Sequence, residues 1–532
     1  MSRWITWLLA AVTAALLLAA PGAVPRLWFD EGWNLSVARI LAETGVYAER
    51  ELGQFVAADV LSVGPPVIVP LALGFRAFGV GLWQARAPGI LFTALAFALL
   101  YGLACRLYNR RVASATLFVA LFMTGAHIHL HPILLGRQAL GETPALVYLL
   151  IGYAALAGGW RARPALIAVS VLGWSLGLAS KPQTLPFFLA SLLIPLVVAA
   201  ARRDRRWVGM LFATLVATLA GYIVVSALPS LLLPEALRPE SRLLATFQGV
   251  AGRRTNTNWE MAFVTSLTVH LDALKAAQTI LLPLAGGCGY ACWRALAAIR
   301  SPRAAARQPL ADVEMARLAL LALTGAWLVW WAALSVGWLR YLSSSLFVGS
   351  IFTAALLHDV TGGFSLAQIG KPFAGLWAGR PRGRAGLTIL VMLALLAAVG
   401  WAVDTTARTL YTAYIREPDT SLLHLTAYLN AELPPDTTIE TFESELFFLL
   451  EQPYHFPPAD VQFQLNRRAF LKEDVAVTYD PLQADPDILV LGPLGKLWKL
   501  YDGVIAAQAF QLVRRAGPYE VYARVRDGSS RR

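Results

Sequence analysis

Long apolar runs alternate with short basic loops along the first 403 residues of the chain. A helix needs about 20 predominantly apolar residues to cross the hydrocarbon core of a bilayer. The pattern predicts eleven such helices, at about 4–24, 85–107, 113–131, 143–159, 164–180, 184–201, 207–228, 273–293, 316–336, 340–358 and 386–403. The chain is therefore predicted to be an α-helical polytopic membrane protein.

Two apolar segments need separate interpretation. Residues 4–24 end in Ala-Ala-Pro-Gly-Ala, as a secretory signal peptide does, but the long apolar run and the spans that follow favour an uncleaved first span. Residues 63–78 are short and interrupted by proline. We expect this second segment to form a helix that lies on or partly within the outer interface.

Basic residues are concentrated in alternate loops of the predicted bundle. Because Lys and Arg accumulate on the cytoplasmic side of membrane proteins, the amino terminus is predicted to be cytoplasmic and the tail extracytoplasmic. The opposite, outer side then carries an acid-rich first loop, 25–84, and a longer loop, 229–272. The basic clusters that define the cytoplasmic side lie at 106–111, 161–163, 202–206, 294–307 and 371–384.

The tail, residues 404–532, is more polar than the predicted membrane domain, residues 1–403. It carries signals for a helix at 421–432, strands at 437–442 and 488–491, and a terminal hairpin at 513–525. A small extracytoplasmic α/β domain is predicted. The three tail acids Glu440, Glu443 and Glu445 are expected to form a solvated face.

Composition supports the membrane assignment. The chain has 532 residues, of which 57% are hydrophobic, and a mean hydropathy of +0.56. The net charge of +12 comes from loop clusters and does not form one binding stripe, so no nucleic-acid partner is expected. The three cysteines lie in apolar segments, and no disulfide framework is expected.

Ionisable residues recur at the predicted outer ends of the spans. Such groups are costly near hydrocarbon unless they are paired or face a cavity, so each is a candidate for function. They are Asp30 and Glu31 after the first span, Arg137 and Glu142 in a tight turn, Lys181 after the fifth span, and Arg340 between the ninth and tenth spans.

The order of these features resembles the C-type glycosyltransferases that use polyprenyl-phosphate sugars. The branch that contains protein O-mannosyltransferases and the lipid A aminoarabinose transferase is most similar. The resemblance covers about residues 1–403. It rests on Phe-Asp-Glu-Gly-Trp-Asn, Gly-Pro-Pro, Arg-Gln-Ala-Leu-Gly-Glu, Ser-Lys-Pro-Gln-Thr and Leu-Arg-Tyr-Leu, in that order.

The resemblance implies a role for each candidate residue. Asp30 would be the general base or would orient the acceptor, with Glu31 as its neighbour. Glu142 stands where relatives commonly have aspartate, which makes its reach less defined. Lys181 and Arg340 would face the donor phosphate, with Arg137 as a weaker third candidate. The C-type fold of these enzymes would be helical, with the tail as an appended outer domain.

The residues also support this chemistry without the resemblance. Cations stabilise charge that develops on a departing phosphate, and a carboxylate can take the proton of an acceptor hydroxyl. Direct displacement would invert the anomeric centre. Structural alternatives remain open: Asp30 and Glu142 could cap helices, Glu31 could be solvated, Lys181 and Arg340 could extend from span ends to the interface, and Arg137 could pair with Glu142.

The sequence thus predicts a hexosyl- or pentosyltransferase of the plasma membrane that acts in the cell envelope. Its donor would be a polyprenyl-phosphate sugar, and its acceptor a protein, lipid or glycan. No cofactor is expected; enzymes of this fold differ in metal dependence, and the alternating His127, His129 and His131 suit hydrogen bonding or a cavity wall better than a metal. A transporter or lipid flippase and a non-catalytic membrane scaffold are the alternative functions.

Overall fold

The computed structural model describes residues 3–58, 61–237, 267–300, 311–335, 337–365, 367–368, 382–471 and 473–525. Most of the first 411 residues are helical. The predicted outer loop 229–272 and the basic cluster 371–384 lie largely outside the described residues. The helices of this part are α1 (Arg3–Leu18), α2 (Phe29–Thr44), α3 (Pro65–Phe78), α4 (Leu82–Leu107), α5 (Arg110–Phe122), α6 (Pro132–Gly136), α7 (Glu142–Ala157), α8 (Ala165–Ser180), α9 (Leu185–Ala201), α10 (Arg205–Ala227), α11 (Leu267–Arg300), α12 (Asp312–Leu334), α13 (Arg340–Val360) and α14 (Arg382–Tyr411).

Within the described residues, six helices are long and apolar enough to cross a membrane. Each coincides with a predicted span. Four further apolar helices are shorter, and three of these fall on predicted spans, so the count of eleven remains a prediction. The six long segments are Leu82–Leu107, Pro182–Ala201, Arg205–Leu231, Leu271–Ala297, Asp312–Leu334 and Leu339–Val360, and the four shorter ones are Trp4–Leu18, Pro65–Phe78, Glu142–Ala157 and Ala165–Ser180.

The predicted span 113–131 is not one continuous helix. Helix α5 ends at Phe122, and Gly125 adopts a left-handed backbone conformation with φ +80°. A single turn of 3-10 helix over Ile128–Leu130 follows, and the side chain of His131 accepts a hydrogen bond from Ile133 N at the start of α6. This break places the His129 ring beside Trp28 of the first loop, at a centroid distance of 5.2 Å, while Leu130 packs in the core of the bundle.

The tail folds around a mixed five-stranded sheet. Its predicted helix and strands are confirmed in position, including the hairpin, which turns at Gly517 with φ +57°. The strand order is β4-β3-β5-β7-β6, with β3 parallel to β4 and β5, and β7 antiparallel to β5 and β6. The first loop holds a small hairpin, β1 (Glu49–Glu51) and β2 (Gln54–Val56); the tail contains α15 (Ser421–Glu432), β3 (Ile439–Thr441), β4 (Tyr454–His455), α16 (Ala459–Asn466), β5 (Ile488–Leu491), α17 (Pro493–Trp498), α18 (Asp502–Ala506), β6 (Phe510–Ala516) and β7 (Tyr519–Arg524).

The first loop and the tail share one hydrophobic core. Side chains of α2 and α3 cluster with those of the tail sheet, separately from the core of the helical bundle. The Trp33 ring lies edge-on to Phe447 and Phe456, at centroid distances of 5.0 and 4.7 Å. A Cβ at Gly32 would lie 2.2 Å from Ser444 O, so only glycine permits this close approach.

The three tail acids are not a solvated face, so that expectation is wrong. Glu440, Glu443 and Glu445 are all buried, with at most 3% of each residue exposed. Glu440 accepts hydrogen bonds from Tyr479 and Tyr501 hydroxyls and lies against His455. Buried carboxyl groups require such partners, and these come from distant parts of the chain.

Candidate active site

The amino-terminal end of α2 presents two adjacent acids in different directions. Asp30 faces a cavity between the bundle and the tail, whereas Glu31 is fully buried. Glu31 Oε2 accepts a hydrogen bond from Trp28 N at 3.3 Å, and this contact helps to cap the start of the helix. Successive helical residues are separated by about 100° around the axis, which explains the divergence.

Asp30 is paired with Arg340, which lies 310 residues later and begins α13. The carboxylate remains 27% exposed, whereas only 6% of the Arg340 side chain is exposed. The guanidinium also lies over the Trp338 and Tyr341 rings, 4.7 and 5.3 Å from their centroids. The two rings thus hold the guanidinium in place, while the Asp30 carboxylate remains accessible from the cavity.

Arg340 sets the charge state of Asp30. Burial by itself raises the pKa of Asp30, but the Arg340 guanidinium, together with Lys181 and His129, lowers it more. The pKa of Asp30 therefore lies below its usual range, and the group is a carboxylate at neutral pH. A carboxylate beside a cation can accept a proton once that cation engages another anion.

Glu142 extends the charge network away from the cavity. Its Oε1 lies 3.1 Å from Lys181 Nζ and 3.9 Å from Arg340 Nε, and all three side chains are at most 6% exposed. The acid thus lies between the two cations predicted to bind phosphate. Four of the six predicted site residues, Asp30, Arg340, Glu142 and Lys181, form one contiguous chain of alternating charge.

The cavity beside Asp30 has a volume of about 660 Å³. The helical part contributes Trp28, Arg340, Trp338, His127 and His129 to its wall, and the predicted cavity-lining role of the histidine run is confirmed for the last two. The tail contributes Glu443, Glu445, Gln462, Asn466, Leu494 and Trp498. Glu142 instead borders a separate small pocket with Thr93 and Ser343.

Glu31 and Arg137 have structural contacts and do not line the cavity. Glu31 Oε1 lies 3.6 Å from Arg86 Nε and accepts a hydrogen bond from Ala139 N. The Arg137 guanidinium is fully buried and donates to the carbonyls of Leu17, Ala19 and Val24 at the end of α1. The guanidinium also donates to the Tyr414 hydroxyl at 3.1 Å, so it joins the turn after α1 to the segment that follows α14. These contacts give no support to a phosphate-binding role.

Several residues in and around the cavity were not predicted from the sequence. Arg26 and Trp338 lie within four residues of predicted site residues, so proximity to Asp30 and Arg340 could have identified them. Arg86, which holds Glu31, is buried inside a long apolar helix, and an intramembrane cation of this kind was a usable signal. Glu445 carried no such signal, because its partners come from remote segments.

The histidine run does not form a metal cluster with neighbouring residues in the described structure. In the ranges that the structure describes, there is no group of three or more His, Cys, Asp or Glu side chains arranged to hold a metal ion. His131 Nε2 donates a hydrogen bond to Leu121 O at 3.1 Å, and the side chain is fully buried. The three imidazoles therefore do not converge.

The bundle, the first-loop helix and the tail sheet together share the fold of solved C-type glycosyltransferases, as predicted, and the long apolar helices are typical of a membrane protein. No protein-family model matches the chain, and no curated protein matches it either. Its similarity to known proteins is therefore seen in solved structures.

Two solved proteins illustrate this similarity. The structure of ArnT from Cupriavidus metallidurans bound to undecaprenyl phosphate matches with a TM-score of 0.64 and 14% identity, over 99% of each chain. The archaeal oligosaccharyltransferase AglB from Archaeoglobus fulgidus, in complex with an inhibitory peptide and a dolichol-phosphate, matches with a TM-score of 0.56 and 11% identity. That match covers 98% of this chain and 74% of AglB. At these identities the similarity establishes the fold.

Proposed function

We propose that this chain is a membrane glycosyltransferase that moves a sugar from a polyprenyl-phosphate carrier to an acceptor on the outer face of the plasma membrane. The observation that carries the proposal is the Asp30–Arg340 ion pair, which opens into the 660 Å³ cavity. A carboxylate, a cation and room for a sugar occur together there. The solved structures with bound polyprenyl phosphates support the choice of carrier.

The donor phosphate would engage Arg340 and, behind it, Lys181. As the bond between the anomeric carbon and the phosphate oxygen breaks, negative charge grows on the phosphate, and both cations stabilise it. Arg340 is already held in place by Trp338 and Tyr341. Little reorganisation is then needed at the moment of reaction.

Asp30 would take the proton from the acceptor hydroxyl. Once the phosphate shares the charge of Arg340, the attraction between the guanidinium and the carboxylate weakens and the pKa of Asp30 rises towards its usual value. The acceptor oxygen then attacks the anomeric carbon from the side opposite the phosphate, and the configuration inverts. The sugar leaves on the acceptor, and polyprenyl phosphate remains in the bilayer.

The proposed orientation in the membrane is based on the positions of the basic loops. With a cytoplasmic amino terminus, the Asp30 end of the bundle and the whole tail lie on the extracytoplasmic side. Which sugar is transferred, and whether the acceptor is a protein, lipid or glycan, would be identified by incubating the purified chain with radiolabelled polyprenyl-phosphate sugars and membrane extract.

Replacing Asp30 with asparagine tests the proposal. Asp30→Asn keeps the size of the side chain and removes the base, so turnover should fall by about 10²–10⁴-fold while polyprenyl-phosphate binding is retained. Asp436→Asn, in an exposed turn before β3, is the matched control and should leave turnover unchanged. Full turnover in Asp30→Asn, or no transfer by the wild-type chain from any donor, would favour a transporter or a scaffold instead.

A further inference from the structure

The tail side of the cavity carries its own polar group, which the proposed mechanism does not use. Glu445 lines the cavity and is 3% exposed. Its Oε1 accepts a hydrogen bond from Tyr519 OH at 3.0 Å. Its Oε2 is buried and has no hydrogen-bond partner among the residues that the structure describes. A buried carboxyl oxygen without a partner is unfavourable unless a ligand supplies a donor.

Carboxyl groups outnumber cations beside the Glu445 side chain. Three carboxyl groups, those of Glu443, Glu445 and Asp419, lie around one guanidinium, that of Arg26. Arg26 Nε is 3.4 Å from Asp419 Oδ2, whereas Arg26 Nη2 is 3.8 Å from Glu445 Oε1, so the cation does not neutralise Glu445 alone. The missing positive charge could be supplied by a substrate.

Both carboxyl oxygens of Glu443 already accept hydrogen bonds, unlike those of Glu445. Its carboxylate accepts hydrogen bonds from Gly495 N at 2.8 Å and Leu494 N at 3.4 Å, at the start of α17. It therefore acts mainly as a fixed negative charge. Burial, with the Glu443 charge as a second cause, raises the pKa of Glu445 to about 8.

The position of Glu445 relative to Asp30 is fixed by direct contacts. Ser444 Oγ donates a hydrogen bond to Phe29 O at 2.6 Å, so the residues that precede Asp30 and Glu445 are joined. The Phe29 and Phe442 rings pack at a centroid distance of 5.1 Å beside this bond. A ligand that reaches Asp30 within the cavity is therefore held close to Glu445.

We propose that Glu445 Oε2 binds a positively charged amino group of the acceptor while the acceptor hydroxyl lies at Asp30. This inference rests on the proposed function, because it assumes that the acceptor enters the cavity. An ammonium group supplies both the missing hydrogen-bond donor and the missing positive charge. Arg26 and Tyr519 act as positioning residues, since they orient the Glu445 carboxyl.

Binding of two matched probes to the full chain in lipid nanodiscs tests the proposal. The probes are 6-aminohexyl and 6-hydroxyhexyl β-glucoside, which differ in one terminal group, and titration calorimetry gives both Kd values. At pH 8.5 the amino probe should bind at least about tenfold more tightly, as a charge-assisted hydrogen bond implies. An alkyl ammonium keeps its proton to about pH 10, so it remains charged throughout.

The pH dependence separates binding by Glu445 from general attraction. The amino probe binds the ionised carboxyl, so its affinity should rise by roughly 25-fold between pH 6.5 and 8.5, the change in ionised fraction for a pKa of about 8. The hydroxyl probe should change little. Glu445→Gln should remove both the amino preference and its pH dependence.

Two further variants complete the test. Glu520→Gln, on the same strand as Tyr519 but paired with Lys496 outside the cavity, is the control and should behave as wild type. Glu443→Gln should move the pH midpoint of amino-probe binding downwards, a change that a merely structural role of Glu445 would not produce. Thermal unfolding checks that each variant is folded. If Glu445→Gln does not fold, the pH midpoint of Glu443→Gln tests the proposal by itself.

Equal Kd values for the two probes at both pH values would overturn the proposal, as would an amino preference that survives in folded Glu445→Gln. An unmoved midpoint in Glu443→Gln would overturn it as well. These measurements need no turnover. Failure of the Asp30→Asn test would therefore remove the transferase assignment without changing the binding result, and the two failures remain distinguishable.

Discussion

Glu142 lies between two cations that would both be needed for a donor phosphate, and its removal gives the sharpest test of the charge network. At an effective dielectric constant of about 20, Coulomb's law gives about 5 kcal/mol for the 3.1 Å contact with Lys181. It gives about 4 kcal/mol for the 3.9 Å contact with Arg340. Desolvation of the buried carboxylate offsets much of this attraction.

Glu142→Gln should therefore destabilise the protein by about 3–5 kcal/mol, the usual cost of removing one partner from a buried ion pair. The same change should strengthen phosphate binding, because the phosphate no longer competes with Glu142 for Lys181 and Arg340. A tenfold gain in affinity would add about 1.4 kcal/mol of stability at a fixed, saturating ligand concentration. Without ligand, the variant is thus expected to be less stable than wild type. Added polyprenyl phosphate should stabilise the variant more than it stabilises wild type.

Thermal unfolding in nanodiscs, with and without added polyprenyl phosphate, measures both effects. Glu31→Gln is the matched control, because Glu31 also pairs with a buried cation, Arg86, at 3.6 Å, and Arg86 is not one of the two cations proposed to bind phosphate. It should lose similar stability and gain no extra stabilisation from the ligand. A Glu142→Gln variant as stable as wild type would contradict the proposed competition for Lys181 and Arg340, as would a variant that polyprenyl phosphate stabilises no more than Glu31→Gln.

Two further predictions concern residues away from the reacting atoms. Arg137→Met should lower the unfolding temperature, because carbonyls at the end of α1 lose their hydrogen-bond donors. Polyprenyl-phosphate binding per folded molecule should match wild type. Weaker binding by the folded variant would show that Arg137 contributes to the phosphate site. Burial raises the pKa of Glu49 to about 7, so the folded state holds an extra proton and stability should fall as pH rises from 4.5 through 7. Glu49→Gln should remove up to about 3 kcal/mol of this pH dependence in denaturant titrations, and parallel curves would show that the carboxyl is not perturbed.

The sequence was sufficient to identify four members of the charge network. Asp30, Glu142, Lys181 and Arg340 each lie beside an apolar run, where an ionisable group is too costly to be incidental. Grouping them required only the order of spans and the side of the membrane on which each was expected. Direct contacts between them are expected, because ionisable groups near hydrocarbon are costly unless they pair with one another.

The direction of each side chain was not predictable in the same way. Asp30 and Glu31 are adjacent, yet one faces the cavity and the other is buried against Arg86. The choice depends on the rotation of α2, which is set by packing of Trp33 on the tail and of Ala38 and Val37 in the core. A pattern along the chain does not fix that rotation when both residues are acidic.

Burial of the tail acids shows a second limit. Glu440, Glu443 and Glu445 read as exposed charges because charged residues are rarely buried unless they are paired. Their partners, including Tyr519 and Gly495, come from segments about 50 to 75 residues later. The spacing of residues along the chain does not show which distant residues will form hydrogen bonds with these acids once the sheet has folded.

The tail completes the candidate site, which follows from where the hydrophobic core runs. The core of the first loop continues into the tail sheet, and helix α14 extends to Tyr411, beyond the predicted boundary at residue 403. Ser444 contacts the first turn of α2, where Gly32 leaves no room for a larger side chain. Asp30 would therefore face open solvent without the tail, and its carboxylate would lose the enclosed surroundings that strengthen its interaction with Arg340. The catalytic unit of the proposed transferase is the bundle with its tail docked.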